Sequence, residues 1–220
     1  MTHSETIFER ICRNAGYQIV RPSLRDRERV PTADFVVSTS AFRLVAEVEE
    51  LRPNKGDIRQ IDSIRRGETT AYGCTIGARP RQHIRRAARQ LKPYSAEGIS
   101  LLVVLYDNVR VGDIRIAYPM FYLQPHDIDA AMYGDRTAYI SLATCAPTEA
   151  DRNGGRRTCK ANEKKYISAG AVISDHDDAT MIFYHNQFAD VPLTPPAFRG
   201  RNFFHLQKVR GDPWKWIPVA

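Results

Sequence analysis

Three acidic residues stand at matching ends of two short apolar segments early in the chain. Asp34 begins the first segment, and Glu47 and Glu49 lie near the end of the second. If the segments pair as an antiparallel hairpin that reverses at Ser40 and Ala41, Asp34 falls opposite Glu47, and Glu49 shares the face of Glu47. Carboxylates placed this way repel one another unless a cation neutralises them. Three hard oxygen ligands would suit Mg²⁺ or Mn²⁺.

The same alternation also fits an ordinary half-exposed strand. Phe42, Leu44, Ala46 and Val48 form an apolar face, and the acidic residues fall on the other face. Acidic side chains are common on exposed strand faces, so the hairpin by itself leaves both interpretations open. The elements around it have to decide between a metal site and a solvated surface.

Composition indicates one globular domain over residues 1–220. The chain is 43% hydrophobic and 26% charged. It has neither a long apolar run nor the apolar segment of a signal peptide, which predicts a cytoplasmic protein without a membrane partner. Its four cysteines show no CxxC spacing, which argues against a zinc knuckle or a disulfide framework. The net charge of +7 and the sequence pI near 9.4 favour a polyanionic partner.

Several elements must position the acidic hairpin. A helix is predicted over 2–15, where Glu5 and Glu9 lie at the margin of the apolar stripe, either as solvated residues or reaching toward a site beside the hairpin. Residues 52–80 are polar and rich in Gly and Arg, with one short helical turn predicted over 57–64. We interpret this segment as a candidate flap, with a disordered segment as the alternative.

A basic helix is predicted over 81–92. Its buried stripe consists of Ile84, Ala87, Ala88 and Leu91. Its flanks carry Arg81, Arg85, Arg86 and Arg89, with no interleaved acid, and we expect them to contact nucleic-acid phosphates. A continuous apolar strand follows over 99–106. The β-β-α-β order predicts an α/β fold.

This arrangement resembles the core of the PD-(D/E)XK nuclease superfamily, and the resemblance covers residues 1–107. It implies a restriction-endonuclease-like mixed β-sheet flanked by helices. Asp34 and Glu47 would then be metal-binding carboxylates, and the main-chain carbonyl of Val48 would be a further ligand. Gln90 or Lys92 would match the polar helix residue that faces such sites.

Two positions depart from the family pattern. Ala33 replaces a proline, and Glu49 replaces a lysine that orients or activates the attacking water. Glu49 could itself act as a general base or ligate a second metal ion. Alternatively, Lys55 or Lys92 supplies the missing ammonium group, or the domain only binds.

The second half of the chain, 108–220, is predicted to be β-rich. It includes a short helix over 127–132, strands over 137–144, 166–173 and 180–185, and a polar loop over 147–165. The final segment, 192–220, interleaves basic and aromatic residues, either to stack on bases or to pack onto the domain. Asp175, His176, Asp177 and Asp178 offer another potential metal site, but a hairpin turn is the simpler interpretation. His185 is interpreted separately as a structural histidine rather than a ligand.

The function predicted from these features is a Mg²⁺- or Mn²⁺-dependent endonuclease acting on nucleic acid, with DNA favoured and a homodimer possible. Asp34, Glu47, Glu49, Gln90 and Lys92 are its expected catalytic residues. The alternative is an inactive nuclease-fold module that binds nucleic acid or assembles with a partner protein. A third hypothesis places another enzyme class at His185 or the Asp175 to Asp178 cluster.

Overall fold

The computed structural model describes residues 1–22, 33–68, 77–108, 123, 125–140, 147–153, 158–160, 162–174, 179–193, 197–209 and 212–219, and all structural statements concern these residues. Within them, no helix is long and apolar enough to cross a membrane.

A mixed eight-stranded sheet forms the centre of the fold. Its strands are β1 (Gln18–Val20), β2 (Phe35–Ser38), β3 (Arg43–Leu51), β4 (Ser100–Asp107), β7 (Ala169–Ser174), β8 (Thr180–His185), β9 (Phe203–Val209) and β10 (Asp212–Pro218). They lie in the order β1-β2-β3-β4-β7-β8-β9-β10, and β5 (Asp135–Ile140) pairs with β6 (Pro147–Asn153) in a separate ribbon. The helices are α1 (His3–Asn14), α2 (Lys55–Arg65), α3 (Ala78–Leu91) and α4 (Pro125–Tyr133), with a 3₁₀ helix at Lys92–Glu97. The predicted α/β class with a mixed sheet is confirmed.

Strand direction explains why a helix separates β3 from β4. Strands β1, β2 and β3 form an antiparallel meander, whereas β4 runs parallel to both β3 and β7. Parallel neighbours need a crossover connection, and α3 lies within the one that joins β3 to β4. The order β-β-α-β predicted from the sequence is therefore present, preceded by the short β1.

Helices cover the two faces of the sheet separately. On one face, Ile7, Phe8 and Ile11 of α1 pack with the core that includes Leu44 and Val104. On the other face, α3 and α4 pack over the alternate residues of the same strands. Because side chains alternate along a strand, β3 directs Val45, Glu47, Glu49 and Leu51 toward the face that α3 covers.

The predicted helix over 2–15 is confirmed as α1. Thr2 is its N-cap, and the Thr2 hydroxyl accepts a hydrogen bond from the backbone N–H of Glu5 at 3.3 Å. Gly16 follows with a φ of 80°, a conformation that favours glycine and lets the chain turn into β1.

Helix α3 confirms the predicted basic helix but begins earlier, at Ala78. Gly77 precedes it with a φ of 70°, and a Cβ atom there would lie 2.7 Å from the Cβ of Ala130. Gly77 therefore permits both the left-handed turn and the close approach of α3 to α4. The predicted stripe is buried as expected, and the α-helix ends at Leu91, two residues before Pro93.

The segment 52–80 contains a longer helix than predicted. In place of a single turn, α2 extends over 11 residues and begins with a capping box formed by Asn54 and Asp57. The Asp57 carboxylate, 1% exposed, also forms an ion pair with Arg79 at 3.0 Å. Residues 69–76 of the candidate flap lie outside the described residues.

The second half adds strands β5 to β10 and helix α4. The strands predicted over 166–173 and 180–185 correspond to β7 and β8, and the helix predicted over 127–132 corresponds to α4. The strand predicted over 137–144 corresponds to β5, which begins and ends earlier. In the C-terminal segment, β9 and β10 extend the sheet, so its packing onto the domain is confirmed. Residues 154–157 of the polar loop, and 175–178, lie outside the described residues.

Candidate functional site

The register of the β2–β3 hairpin is the one predicted from the sequence. Phe35 pairs with Ala46 and Ser38 pairs with Arg43. Continuing this register by one residue places Asp34 opposite Glu47, at the point where β2 begins. The alternation of side chains then directs Glu47 and Glu49 to the same face of β3.

Asp34 and Glu47 are joined by reciprocal hydrogen bonds between backbone and side chain. The backbone N–H of Asp34 donates to Glu47 Oε2 at 3.1 Å. The backbone N–H of Val48 donates to Asp34 Oδ2 at 2.9 Å. Among the described residues, no strand pairs with this edge of β3 beyond the start of β2, and these two hydrogen bonds satisfy its backbone there.

One oxygen of each carboxyl group is left over by this arrangement. Among the described residues, no group donates a hydrogen bond to Asp34 Oδ1 or Glu47 Oε1. The N–H and C=O of a strand residue point to the same side, so the carbonyl of Val48 is directed to the edge where Asp34 lies. Two carboxyl oxygens and one carbonyl thus belong to the same edge of β3.

Burial makes negative charge costly at this pair. Glu47 is 3% exposed, and its burial, together with the charges of Asp34 and Glu49, raises the pKa of its carboxyl to about 9. Burial, then the charges of Glu5 and Glu49, also raises the pKa of Asp34, although the bond from Val48 opposes the rise. A cation at the pair would relieve the cost of ionising both groups.

Glu49 is bound by helix α3. Its buried carboxylate contacts His83 Nδ1 through Oε2 at 2.9 Å and accepts a hydrogen bond from Arg86 Nε through Oε1 at 2.7 Å. The sequence predicts three converging metal ligands, whereas both oxygens of Glu49 already have partners in the structure. Among the described residues, no three His, Cys, Asp or Glu side chains are grouped so that they could hold a metal ion.

His83 is a site residue that the sequence analysis did not select. It lies three residues before Arg86, so both side chains project from the same flank of α3. That spacing was the available signal, but only the placement of α3 over β3 brings both residues to Glu49. The Arg86 side chain is 65% exposed, and its charge also acts on Glu47, where it lowers the pKa in opposition to burial.

The other arginines predicted to bind phosphate differ in exposure. Arg89 is exposed and Arg85 is half-buried. Arg81, in contrast, is 4% exposed, and its Nη2 donates to the carbonyl of Ala130 at 3.0 Å. Arg81 therefore joins α3 to α4 and is directed into the protein.

Gln90 and Lys92 occupy the last part of the same helix. Gln90 is half-buried, and its Oε1 atom is buried without a hydrogen-bond partner among the described residues. Gln90 lies one helical turn after Arg86, on the flank that faces β3. Lys92 caps α3 and is exposed, as is Lys55 at the start of α2.

Helix α1 contributes an ion pair near the start of β2. Arg21 Nη2 lies 2.9 Å from Glu5 Oε2, and the guanidinium of Arg21 lies 4.6 Å above the ring of Phe35. The charges of both residues act on Asp34. Glu5 is therefore part of the surroundings of the acidic hairpin, which is one of the two roles that the sequence left open for it.

His185, which the third hypothesis places in an enzyme site, makes contacts that are typical of a structural histidine. Its Nε2 lies 2.9 Å from His205 Nδ1, and His205 Nε2 lies 2.9 Å from the Phe198 carbonyl. A carbonyl only accepts, so His205 donates from Nε2 and accepts from His185. Burial, then the neighbouring His205, lowers the pKa of His185 to about 4. The Asp175 to Asp178 cluster lies outside the described residues.

Comparison of the chain with protein-family models, curated proteins and solved structures finds no match in any of the three.

Proposed function

We propose that this chain is a metal-dependent nuclease that hydrolyses phosphodiester bonds of nucleic acid, with DNA as the favoured substrate, on a restriction-endonuclease-like core. The observation that carries the proposal is the buried Asp34 and Glu47 pair, whose carboxyl groups each keep one oxygen without a partner among the described residues. A raised carboxyl pKa at adjacent acidic groups is typical of functional sites.

The donor set fits a hard divalent cation. Asp34 Oδ1, Glu47 Oε1 and the carbonyl of Val48 are the oxygen atoms that would hold Mg²⁺ or Mn²⁺. Such an ion, when bound, polarises a phosphodiester and lowers the pKa of a water molecule. In the described part of the chain, no three metal-binding side chains form a group. The ligands from this hairpin are therefore limited to two carboxylates and a main-chain oxygen.

Glu49 has a different role in this proposal from that of a third ligand. The two carboxylate oxygens of Glu49 bind His83 and Arg86. Glu49 therefore determines which side of α3 faces Glu47. The exposed guanidinium of Arg86 is then placed to neutralise a phosphate near the acidic pair. This contact would supply positive charge in a site that lacks the lysine found in the nuclease family that the chain resembles.

The remaining residues of α3 extend the phosphate contact. Arg85 and Arg89 would neutralise the nucleic-acid backbone, and Gln90 Oε1 would orient a water molecule or a substrate hydroxyl group. Cleavage of both strands by a chain with one such site would favour two copies, so a homodimer belongs to the proposal. The proposal also includes the cytoplasmic location expected from the sequence.

A second candidate function is favoured by the contacts of Glu49. With Glu49 bound to α3 and only two carboxylates available from the hairpin, the domain would bind nucleic acid or a protein partner without cleaving. Binding by its arginines would then depend strongly on salt concentration and would need no divalent ion.

Cleavage of supercoiled plasmid, single-stranded DNA and RNA with Mg²⁺ or Mn²⁺ separates the two candidates. We expect Asp34→Asn and Glu47→Gln to reduce cleavage by a factor on the order of 100 or more. Glu50→Gln is the matched control, because Glu50 is the neighbour of Glu49 on β3 but binds Arg52 and Asn108 instead. Salt-sensitive binding without metal-dependent cleavage by the wild-type protein would support the binding module.

A further inference from the structure

A cavity of about 540 Å³ lies between the second half of α1 and the segment that leads into β9. Its volume is within the range of small-molecule binding sites. Arg10 and Asn14 of α1 line it on one side, and Arg199, Arg201, Asn202 and Phe203 line it on the other. The cavity therefore combines guanidinium and amide groups with an aromatic ring.

The lining of this cavity is strongly cationic. Of the ten described residues that line it, three are arginines, two are asparagines and none is acidic. Each guanidinium carries five N–H donors, so it can serve a ligand together with a partner inside the protein. Planar guanidinium groups match the geometry of phosphate oxygens. The polar part of the cavity thus suits a phosphate group.

The aromatic part of the cavity is held in place by its neighbours. The Phe203 ring lies 5.5 Å from that of Phe198 and 6.3 Å from that of Tyr17. The backbone N–H of Phe203 donates to the carbonyl of Gly200 at 3.1 Å, and Gly200 has a φ of 135°, which favours glycine. The backbone N–H of Arg199 donates to the Tyr17 hydroxyl at 3.1 Å. These contacts preorganise the segment, which lowers the cost of binding.

The cavity is separate from the acidic hairpin. Ile11, Ala179 and Phe203, which line it, pack with the core on the α1 face of the sheet. Glu47 and Glu49 project to the opposite face, which α3 covers. The sheet itself lies between them, so this inference is independent of the proposed nuclease activity.

We propose that this cavity binds a nucleotide unit, with its phosphate on Arg10, Arg199 and Arg201 and its base against Phe203. Base stacking on an aromatic side chain together with arginine contacts to the backbone is a general mode of nucleotide binding. The unit belongs either to a free nucleotide or to a single strand of nucleic acid, since both present the same chemistry.

Isothermal titration calorimetry with EDTA present measures this binding without cleavage. The probes are inorganic phosphate, adenosine 5′-diphosphate and a short oligothymidylate. We expect Arg199→Ala and Arg201→Ala each to weaken binding of both nucleotide probes by about tenfold. Arg43→Ala is the matched control, because Arg43 is exposed at the start of β3, does not line the cavity and carries the same charge.

Phe203→Leu tests the base contact separately. We expect it to weaken nucleotide binding by about tenfold and to leave phosphate binding unchanged. Thermal unfolding verifies that each variant is folded. If one variant does not fold, the other substitutions still test the proposal. An oligothymidylate affinity well above that of the free nucleotide assigns the site to a nucleic-acid strand, and equal affinities assign it to free nucleotides.

Three results would overturn the proposal. The first is no binding of either nucleotide probe at millimolar concentration. The second is equal weakening by Arg43→Ala and by the cavity variants, because that pattern reflects net charge alone. The third is phosphate binding as tight as nucleotide binding, since the ring of Phe203 would then contribute nothing.

Discussion

The backbone N–H of Asp34 donates to Glu47 Oε2 at 3.1 Å, so an acidic side chain of β3 completes the hydrogen bonding of the residue that precedes β2. The side chain of Asp34 does the same for Val48 at 2.9 Å. Two carboxyl groups that repel each other are thus kept together by the backbone of the hairpin. Among the described residues, the second oxygen of each carboxyl group has no hydrogen-bond partner.

Stability without metal should depend on pH through Glu47. The pKa of its carboxyl is raised from 4.5 to about 9 in the folded protein, mainly by burial, so the folded state binds more protons than the unfolded state between these values. The free energy of unfolding should therefore fall as pH rises from about 5 to 9, by at most about 1.4 kcal/mol per pH unit from this group.

Urea denaturation in EDTA across this pH range measures the effect. Glu47→Gln should show a shallower decline with pH than the wild type, because its side chain is neutral throughout. Glu50→Gln, which changes a neighbouring acid on β3, should keep the slope of the wild type. Equal slopes for the wild type and Glu47→Gln would mean that Glu47 is not held protonated.

Divalent metal should stabilise the folded protein through the same pair. At a Mn²⁺ concentration about 100 times the dissociation constant, binding adds about 2.7 kcal/mol to the free energy of unfolding. This corresponds to a rise in Tm of about 5 to 10 °C for a chain of this size. Differential scanning calorimetry should show the rise for the wild type and Glu50→Gln and not for Glu47→Gln. A rise that persists in Glu47→Gln would place the ion elsewhere.

The contact between Arg86 and Glu49 should be measurable by a double-mutant cycle. Glu49 is buried, whereas the Arg86 side chain is 65% exposed, so solvent weakens the interaction. We expect Arg86→Ala to lower the free energy of unfolding by about 1 kcal/mol and the coupling to Glu49→Gln to be about 0.5 to 1 kcal/mol. Arg89→Ala, an exposed arginine of the same helix, should change stability by less than about 0.5 kcal/mol. A coupling energy of zero would remove Glu49 from its role in positioning α3.

A buried ion pair joins α4 to β9 and should matter for stability. The side chains of Lys208 and Asp129 form this pair and are 1% and 2% exposed. Asp129→Ala would leave the Lys208 ammonium without that partner, at a cost of about 3 to 5 kcal/mol. Chemical denaturation measures the loss. The double variant Asp129→Leu and Lys208→Met should recover part of it, and a double variant less stable than Asp129→Ala would contradict this account.

The hairpin and the basic helix could be predicted because local patterns specify them. Alternation in β3 determines that Glu47 and Glu49 share a face, and the turn near Ser40 determines the register with β2. In α3, Ile84 and Leu91 repeat at helical spacing and are buried as that spacing requires.

Helix α2 was underpredicted because its signals are polar. Its N-terminus depends on Asn54 and Asp57, and the buried carboxylate of Asp57 forms an ion pair with Arg79. Ile58, which a periodicity argument would bury, is 49% exposed. A helix that is stabilised by capping and by a distant ion pair leaves only a weak apolar pattern in its own sequence.

The contacts of Glu49 depend on tertiary placement. The sequence shows that Glu49 shares the face of Glu47 but not which residue of α3 lies above it. That depends on the crossing of α3 over β3 and on Gly77, which precedes α3 and lets it approach α4. His83 was missed for this reason.

A crystal structure of the protein soaked with Mn²⁺, with anomalous diffraction, tests the central claim most directly. The account predicts one anomalous peak at the edge of β3, about 2.0 to 2.6 Å from one carboxyl oxygen of Asp34 and one of Glu47. Crystals of Glu47→Gln should lack that peak. A Mn²⁺ ion bound elsewhere in the wild-type protein, with no ion at this edge of β3 at saturating Mn²⁺, would contradict the assignment of Asp34 and Glu47 as metal ligands.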